Sequence, residues 1–193
     1  MIPVIELRTP HLTLKPLGAS DVDYLIGVHR ASPRTTFDDV DRFDDDADFS
    51  AYILNALAGN ATGWTIEHTA TTVKLGTLYL VDIFMGITAN FHPVSDVMAL
   101  KDLNPVDAQG RRLRSMDEAI QTAFPWCATM WKLQRIGGAF GSHNVPALKL
   151  CERLGMRREG VVRQGMKVNE QPIDLVIYGF TAQELAAWTV PVS

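Results

Sequence analysis

The chain has 193 residues, 47% of them apolar and 21% charged, with a formal net charge of −4. That length accommodates one domain, residues 1–193, with a sizeable core, and the mean hydropathy of +0.03 marks a water-soluble globular chain. No apolar run approaches the ~20 residues of a membrane span, and the acidic balance argues against general affinity for nucleic-acid phosphate.

Met1 to Pro16 carries Glu6 and alternating polar residues instead of a basic stretch followed by an apolar run, so a secretory leader is not expected and the cytoplasm is the expected compartment. His11 to Leu17, HLTLKPL, alternates as a first strand, and Ser20 is placed to cap a helix through Asp21 to His29. Seven aspartates follow between Asp38 and Asp48. A calcium loop is excluded by Phe49 where the turn glycine belongs and Asn55 where the bidentate glutamate belongs. No metal site is expected. The aspartates read as a solvated loop that favours the next helix start, and as a negative rim that would draw a cationic amine.

That next helix should span Asp46 to Leu57, ended by Gly59-Asn60. Gly63 to His68 and Lys74 to Ile83 read as a hairpin pair, with Ile87 to Val94 as a fourth strand. Ser95 to Ala108 shows little periodicity and reads as loop. Arg111 to Met130 has helical character that Pro125 should kink or shorten. Arg135 to Phe140 is a fifth strand, placed beyond a helix so that it can run parallel to the fourth through a right-handed crossover. Gly160 to Lys167 and Ile173 to Phe180 close the chain as a pair around Asn169-Glu170.

The most specific stretch is Ser142 to Gly160, SHNVPALKLCERLGMRREG. Asn144 can cap a helix and Pro146 sits just inside its start, where a missing N–H is harmless. Leu148, Leu150, Cys151 and Leu154 fall near one face, and Gly155 stops the helix. Cys127 and Cys151 are too few for a disulfide framework and read as buried, reduced thiols.

This unit resembles the C-terminal half of the GNAT superfamily of N-acyltransferases, whose pattern there is Asn, a helix ending in Leu-Gly-Phe, then Arg-x-Glu-Gly. Met156 replaces the Phe, and Arg158-Glu159-Gly160 completes the match. The opening, Leu7-x-Thr9-x-His11-Leu12-x-Leu14-Lys15-Pro16-Leu17 with Ser20-Asp21, resembles the ribosomal-protein N-acetyltransferase branch, with His11 where Arg is usual. The resemblance implies an α/β (α+β) fold with a mixed, mostly antiparallel central sheet, parallel fourth and fifth strands, and flanking helices. It implies acetyl-CoA as acyl donor and a primary amine, of a protein or a small molecule, as acceptor.

In that family the pyrophosphate rests on N–H groups at a helix start, on Gln/Arg-x-x-Gly-x-Gly/Ala. Here the corresponding segment is Gln109-Gly110-Arg111-Arg112-Leu113-Arg114, with arginine at both glycine positions. Three readings stay open: the guanidinium groups bind the polyanion themselves, the loop no longer binds coenzyme A, or Gly110 serves a shifted register. Asn144 occupies the position that helps hold the cofactor and a water near the thioester. The branch's serine three residues on is Ala147 here, so the usual proton donor to the thiolate is missing. Lys149 is a candidate phosphate contact. His92 is the first candidate base, with Asp82 and Glu67 behind it, and Phe91 to Val94 are expected to line the pantetheine path while strand-four N–H groups polarise the carbonyl. The alternative is a GNAT domain that has lost catalysis and serves as a binding or structural component. Trp126, Trp131 and Trp188 read mainly as core, and any that are exposed would supply a homodimer face.

Overall fold

The computed structural model describes residues 2, 4–31, 45–168 and 170–188. The aspartates from Asp38 to Asp44 and the turn residue Asn169 lie outside the described residues. Strands β1 (Leu7–Arg8), β2 (Leu12–Pro16), β3 (Thr62–His68), β4 (Lys74–Phe84), β5 (Thr88–Ser95), β6 (Arg135–Gly141), β7 (Arg157–Val168) and β8 (Gln171–Thr181) form one sheet. Its order is β1-β2-β3-β4-β5-β6-β8-β7. All neighbours are antiparallel except β5 and β6, which run parallel, as the long crossover between them requires.

The helices are α1 (Val22–Ala31), α2 (Asp46–Ala58), α3 (Val97–Leu103), α4 (Ser115–Met130), α5 (Val145–Leu154) and α6 (Ala182–Ala186). Alternation along the central strands divides the core between the two sheet faces. Trp64, Ile66, Leu78, Leu80 and Phe91 meet Ala119, Ile120, Phe124 and Cys127 of α4 on one face. Val94 joins Val22, Leu25 and Ile26 of α1 and Phe49 and Ile53 of α2 on the other. Trp131 is buried, and Trp126 bridges it to Trp64 with ring centroids 5.6 and 5.7 Å away. Trp188 packs on Phe180 at 4.6 Å.

Three sequence expectations along the β5–β6 crossover are corrected. The tract Ser95 to Ala108 holds α3: Asp96 caps it by accepting from Ala99 N–H at 2.9 Å, and Asn104 ends it in the left-handed conformation. The helix expected from Arg111 starts at Ser115 instead. Arg112 is held in an isolated antiparallel bridge to Val106, and Leu113 N–H donates to Pro105 O at 2.7 Å, so this segment is spent as the return arm of a turn. Pro125 does not shorten α4. One backbone bond is lost there, but Ala123, Phe124 and Cys127 around it are fully buried and hold the turn.

Ser20 does not cap α1: it lies inside a 3-10 turn, Ala19–Asp21, at whose start Gly18 N–H donates to Asp21 Oδ2 at 3.1 Å. The caps of α2 and α5 agree with the sequence. The Asp45 carboxylate accepts from Asp48 N–H at 2.8 Å at the start of α2. Asn144 Oδ1 accepts from Ala147 N–H at 3.2 Å at the start of α5. Gly155 takes φ 78° at the end of α5, a conformation that a side chain would strain.

Candidate active site

β5 and β6 pair at only three positions, Thr88 with Arg135, Ala89 with Ile136 and Asn90 with Gly137. Both strands continue, to Ser95 and Gly141, without meeting again. The sheet therefore opens between them. The rings of Phe91 and Phe140, with centroids 5.4 Å apart, fill the floor where the strands part.

The backbone on the β5 side of this opening follows from the register. Arg135 N–H donates to Ile87 O at 3.1 Å, and Asp96 N–H donates back to Leu75 O of β4 at 2.9 Å. Odd positions thus turn their backbone groups toward β6, and beyond the last rung positions 93 and 95 face the gap. Position 93 is proline and has no N–H to offer. Of the β5 backbone donors expected to polarise a carbonyl, Ser95 N–H remains.

A cleft of about 720 Å³ lies at the opening. Pro93 and Ser95 of β5, Val97 and Leu100 of α3, Arg112 and Met116 at the start of α4, and Asn144, Ala147 and Lys149 of the α5 turn all line it. The elements converge because β5 runs into α3, while α4 and α5 both begin at the edge of the sheet's opening. Among the described residues no side chain caps α4. The N–H groups of its first turn are left for an external acceptor, as at anion-binding helix starts. The two acidic residues of that turn are engaged elsewhere. Asp117 pairs with Arg153 at 2.6 Å, and Glu118 pairs with His11 Nδ1 at 3.0 Å and accepts from the Thr9 hydroxyl. The cationic groups of the cleft wall outside that pair are Arg112 and Lys149.

The other loop residues are arranged differently. Asp107 Oδ1 accepts from Gln109 N–H and Arg111 N–H, both at 2.9 Å, and its Oδ2 accepts from Arg111 Nε at 2.8 Å. Gly110 turns the chain at φ 73°. The Arg111 N–H, with the Arg111 guanidinium behind it, holds the Asp107 carboxyl below its ordinary range. Gln109, Gly110 and Arg111 therefore close a self-contained turn around the loop's own carboxylate and do not line the cleft. Leu113 is buried in the core, and Arg114 is exposed at the start of α4, outside the cleft lining.

Phe91 lies in the core floor, and Val94, three residues on, faces α1 and α2 on the opposite side of the sheet. His92 shares that opposite side. Its ring stacks on Tyr79 with centroids 5.2 Å apart and lines a space of about 360 Å³ together with Asp82, Tyr52 and Asn60. His29 is buried nearby, and burial, followed by the charge of His92, pushes its pKa down to about 4. Glu67 is buried and paired with Lys15 at 2.7 Å, away from both spaces. Sequence reasoning missed Ser95, the one hydroxyl side chain among the described cleft residues. Its signal was parity, since Ser95 lies two residues from Pro93 on a strand and so on the same face.

The sequence matches no family model and no curated protein sequence. Solved structures do match. The chain is similar to a probable GNAT-family acetyltransferase from Chromobacterium violaceum, with TM-score 0.72 and 18% identity, covering 96% of this chain and 90% of that one. It is similar to a spermidine N-acetyltransferase from Vibrio cholerae in complex with CoA and spermine, with TM-score 0.73 and 15% identity over 92% and 99%. It is also similar to RimL, a ribosomal alpha-N-protein acetyltransferase in complex with coenzyme A, with TM-score 0.70 and 16% identity over 90% and 95%. With its sheet opened between one parallel strand pair and a helix starting beside the opening, this chain has the fold of the GNAT-family acetyltransferases.

Proposed function

We propose that the protein transfers an acetyl group from acetyl-CoA to a primary amine by direct attack. The observation that carries this reading is the cleft, which joins an uncapped helix start, two cationic side chains and an apolar wall where β5 and β6 part. The pyrophosphate would take the N–H groups of the first turn of α4 and the Arg112 guanidinium, with Lys149 as a further phosphate contact. The pantetheine would run along Pro93, Ser95 and Ala147, with Asn144 beside it. Ser95 N–H would be the donor that polarises the carbonyl.

The acceptor amine would approach from the face that carries His92. Its nitrogen attacks the thioester carbonyl carbon, the N–C bond forms, the C–S bond breaks and the pair leaves as the thiolate of coenzyme A. Before attack the ammonium gives one proton to His92. After the N–C bond forms the second proton leaves nitrogen to solvent water, and the thiolate takes a proton from water, directly or relayed by the Ser95 hydroxyl, which is reprotonated in the same relay. Positioning alone can supply several kcal/mol of the barrier reduction.

Calorimetric titration of acetyl-CoA tests the reading. Micromolar affinity, reduced at least about tenfold in Arg112→Ala/Lys149→Ala, is expected. Absence of both heat and thermal stabilisation at saturating acetyl-CoA would overturn it. A second reading, a GNAT-like domain kept for binding or structure alone, draws on the turn around Asp107 and on Pro93, which between them remove family-type N–H donors. Cofactor binding with no thiol release on any amine would select it.

A further inference from the structure

β5 separates two spaces. The cleft lies on one face, and on the other α1, α2 and β4 enclose a largely apolar chamber of about 60 Å³ walled by Leu25, His29, Phe49, Ile53, Leu57 and Tyr79. By the volume one water-sized probe needs, the chamber has room for about four such groups, a short alkyl chain or small ring. Tyr52 and His92 form walls of both this chamber and the polar space of about 360 Å³ that adjoins it. Asn55, Asn60 and Asp82 complete the polar space.

Asp82 is placed there by a local irregularity. The β4–β5 register shifts between Val81 and Phe84, and Asp82 adopts φ 49°, a conformation rare for a side-chain-bearing residue within a strand. Such bulges re-aim a side chain out of the regular alternation. Asn90 Nδ2 donates to Asp82 Oδ2 at 3.3 Å and orients the carboxylate from β5. Among the described residues Asp82 takes part in no ion pair, and it is exposed, so its carboxylate can meet a cation from solvent.

We propose that this is the acceptor subsite and that it selects a monoamine with a short apolar substituent. Asp82 holds the ammonium at the polar mouth beside His92, and the substituent enters the chamber. A polyamine that entered the chamber would bring a second charge beside Leu25, Phe49 and Ile53, where the chamber offers no carboxylate to meet it, which is unfavourable. The proposal rests on the acetyl-transfer reading, and its test separates the two.

Ligand-observed NMR of n-butylamine and of spermidine, without acetyl-CoA, reads the subsite directly. Saturation transfer to n-butylamine that disappears in Asp82→Asn is expected. Asn tolerates the left-handed conformation as well as Asp does, so this variant keeps the bulge. With acetyl-CoA present, thiol release should favour n-butylamine and phenethylamine over spermidine, and Asp82→Asn should raise KM at least about tenfold with kcat changed less than about threefold. Preferred binding of spermidine, or n-butylamine binding and KM unaffected by Asp82→Asn, overturns the proposal. If acetyl-CoA fails to bind, the acetyl-transfer reading falls, and the NMR result alone decides whether the amine subsite stands.

Discussion

Asp117 and Arg153 form a two-pronged ion pair, with 2.6 and 2.8 Å bonds, that ties the first turn of α4 to the last turn of α5. The pair fixes the angle between the two helices whose starts line the cleft. It also neutralises a carboxylate that would otherwise oppose an anion at the α4 start. Arg153→Ala should therefore lower stability by about 1 kcal/mol and weaken acetyl-CoA binding severalfold. Urea denaturation and calorimetry on the same variant check both. Unchanged affinity would mean that Asp117 does not reach the phosphate site.

His29 gives a pH prediction. Its folded-state pKa is about 4, below the ordinary 6.5, so the unfolded chain binds the proton more readily. The contribution of neutral His29 is complete above pH 6.5 and is lost as pH falls toward 4, by at most about 3 kcal/mol. Urea midpoints measured from pH 7 to pH 4.5 should fall, and His29→Leu should flatten the slope across that window.

Much of this arrangement is legible in the chain, and the parts that are not have physical reasons. The helix after Asn144 announces itself because a cap, a Pro at the first turn, an apolar stripe and a stop glycine agree over a short span. α3 has the same signals in Asp96, Asn104 and Pro105, but it is seven residues long and buries no residue fully, so its apolar period is faint. β1 is only two residues long, too short for any alternation to register. The arginine run from Arg111 to Arg114 misplaced the start of α4, because Arg is a good helix former and nothing local reveals the bridge to Val106. Phe91 to Val94 read in sequence as one continuous lining, although strand parity sends His92 and Val94 to the other face. The cleft itself is a tertiary product of where two strands stop pairing, and neither strand encodes that alone.

Asn144 combines a cap with a place in the cleft wall, and two substitutions separate these roles. Asn144→Ser keeps a capping oxygen and Asn144→Ala removes it, at a cost of about 1 kcal/mol. If the amide also serves acetyl-CoA, both variants should weaken binding while only the alanine lowers the melting temperature appreciably. Equal binding in wild type and Asn144→Ser would limit the residue to capping.

Pro93 sets up a gain-of-function test. Pro93→Ala restores an N–H at a position that faces the gap, where a carbonyl oxygen would develop charge. Turnover is expected to rise severalfold with little change in KM for the amine, as measured by thiol release. A fall in turnover would show that the site depends on the fixed backbone of proline rather than on a donor there.

The three-rung seam between β5 and β6 has a mechanical consequence. It divides the sheet into a five-stranded panel and a three-stranded panel whose shared hinge is weaker than either panel. A molecule seated in the opening would touch Pro93 and Ser95 on one panel and the α5 turn behind β6 on the other, and so would act as a strut across the hinge. Amide exchange at Ala89 and Gly137, remote from any phosphate contact, should then slow together when the opening is filled, which makes the stiffness of the sheet a gauge of occupancy.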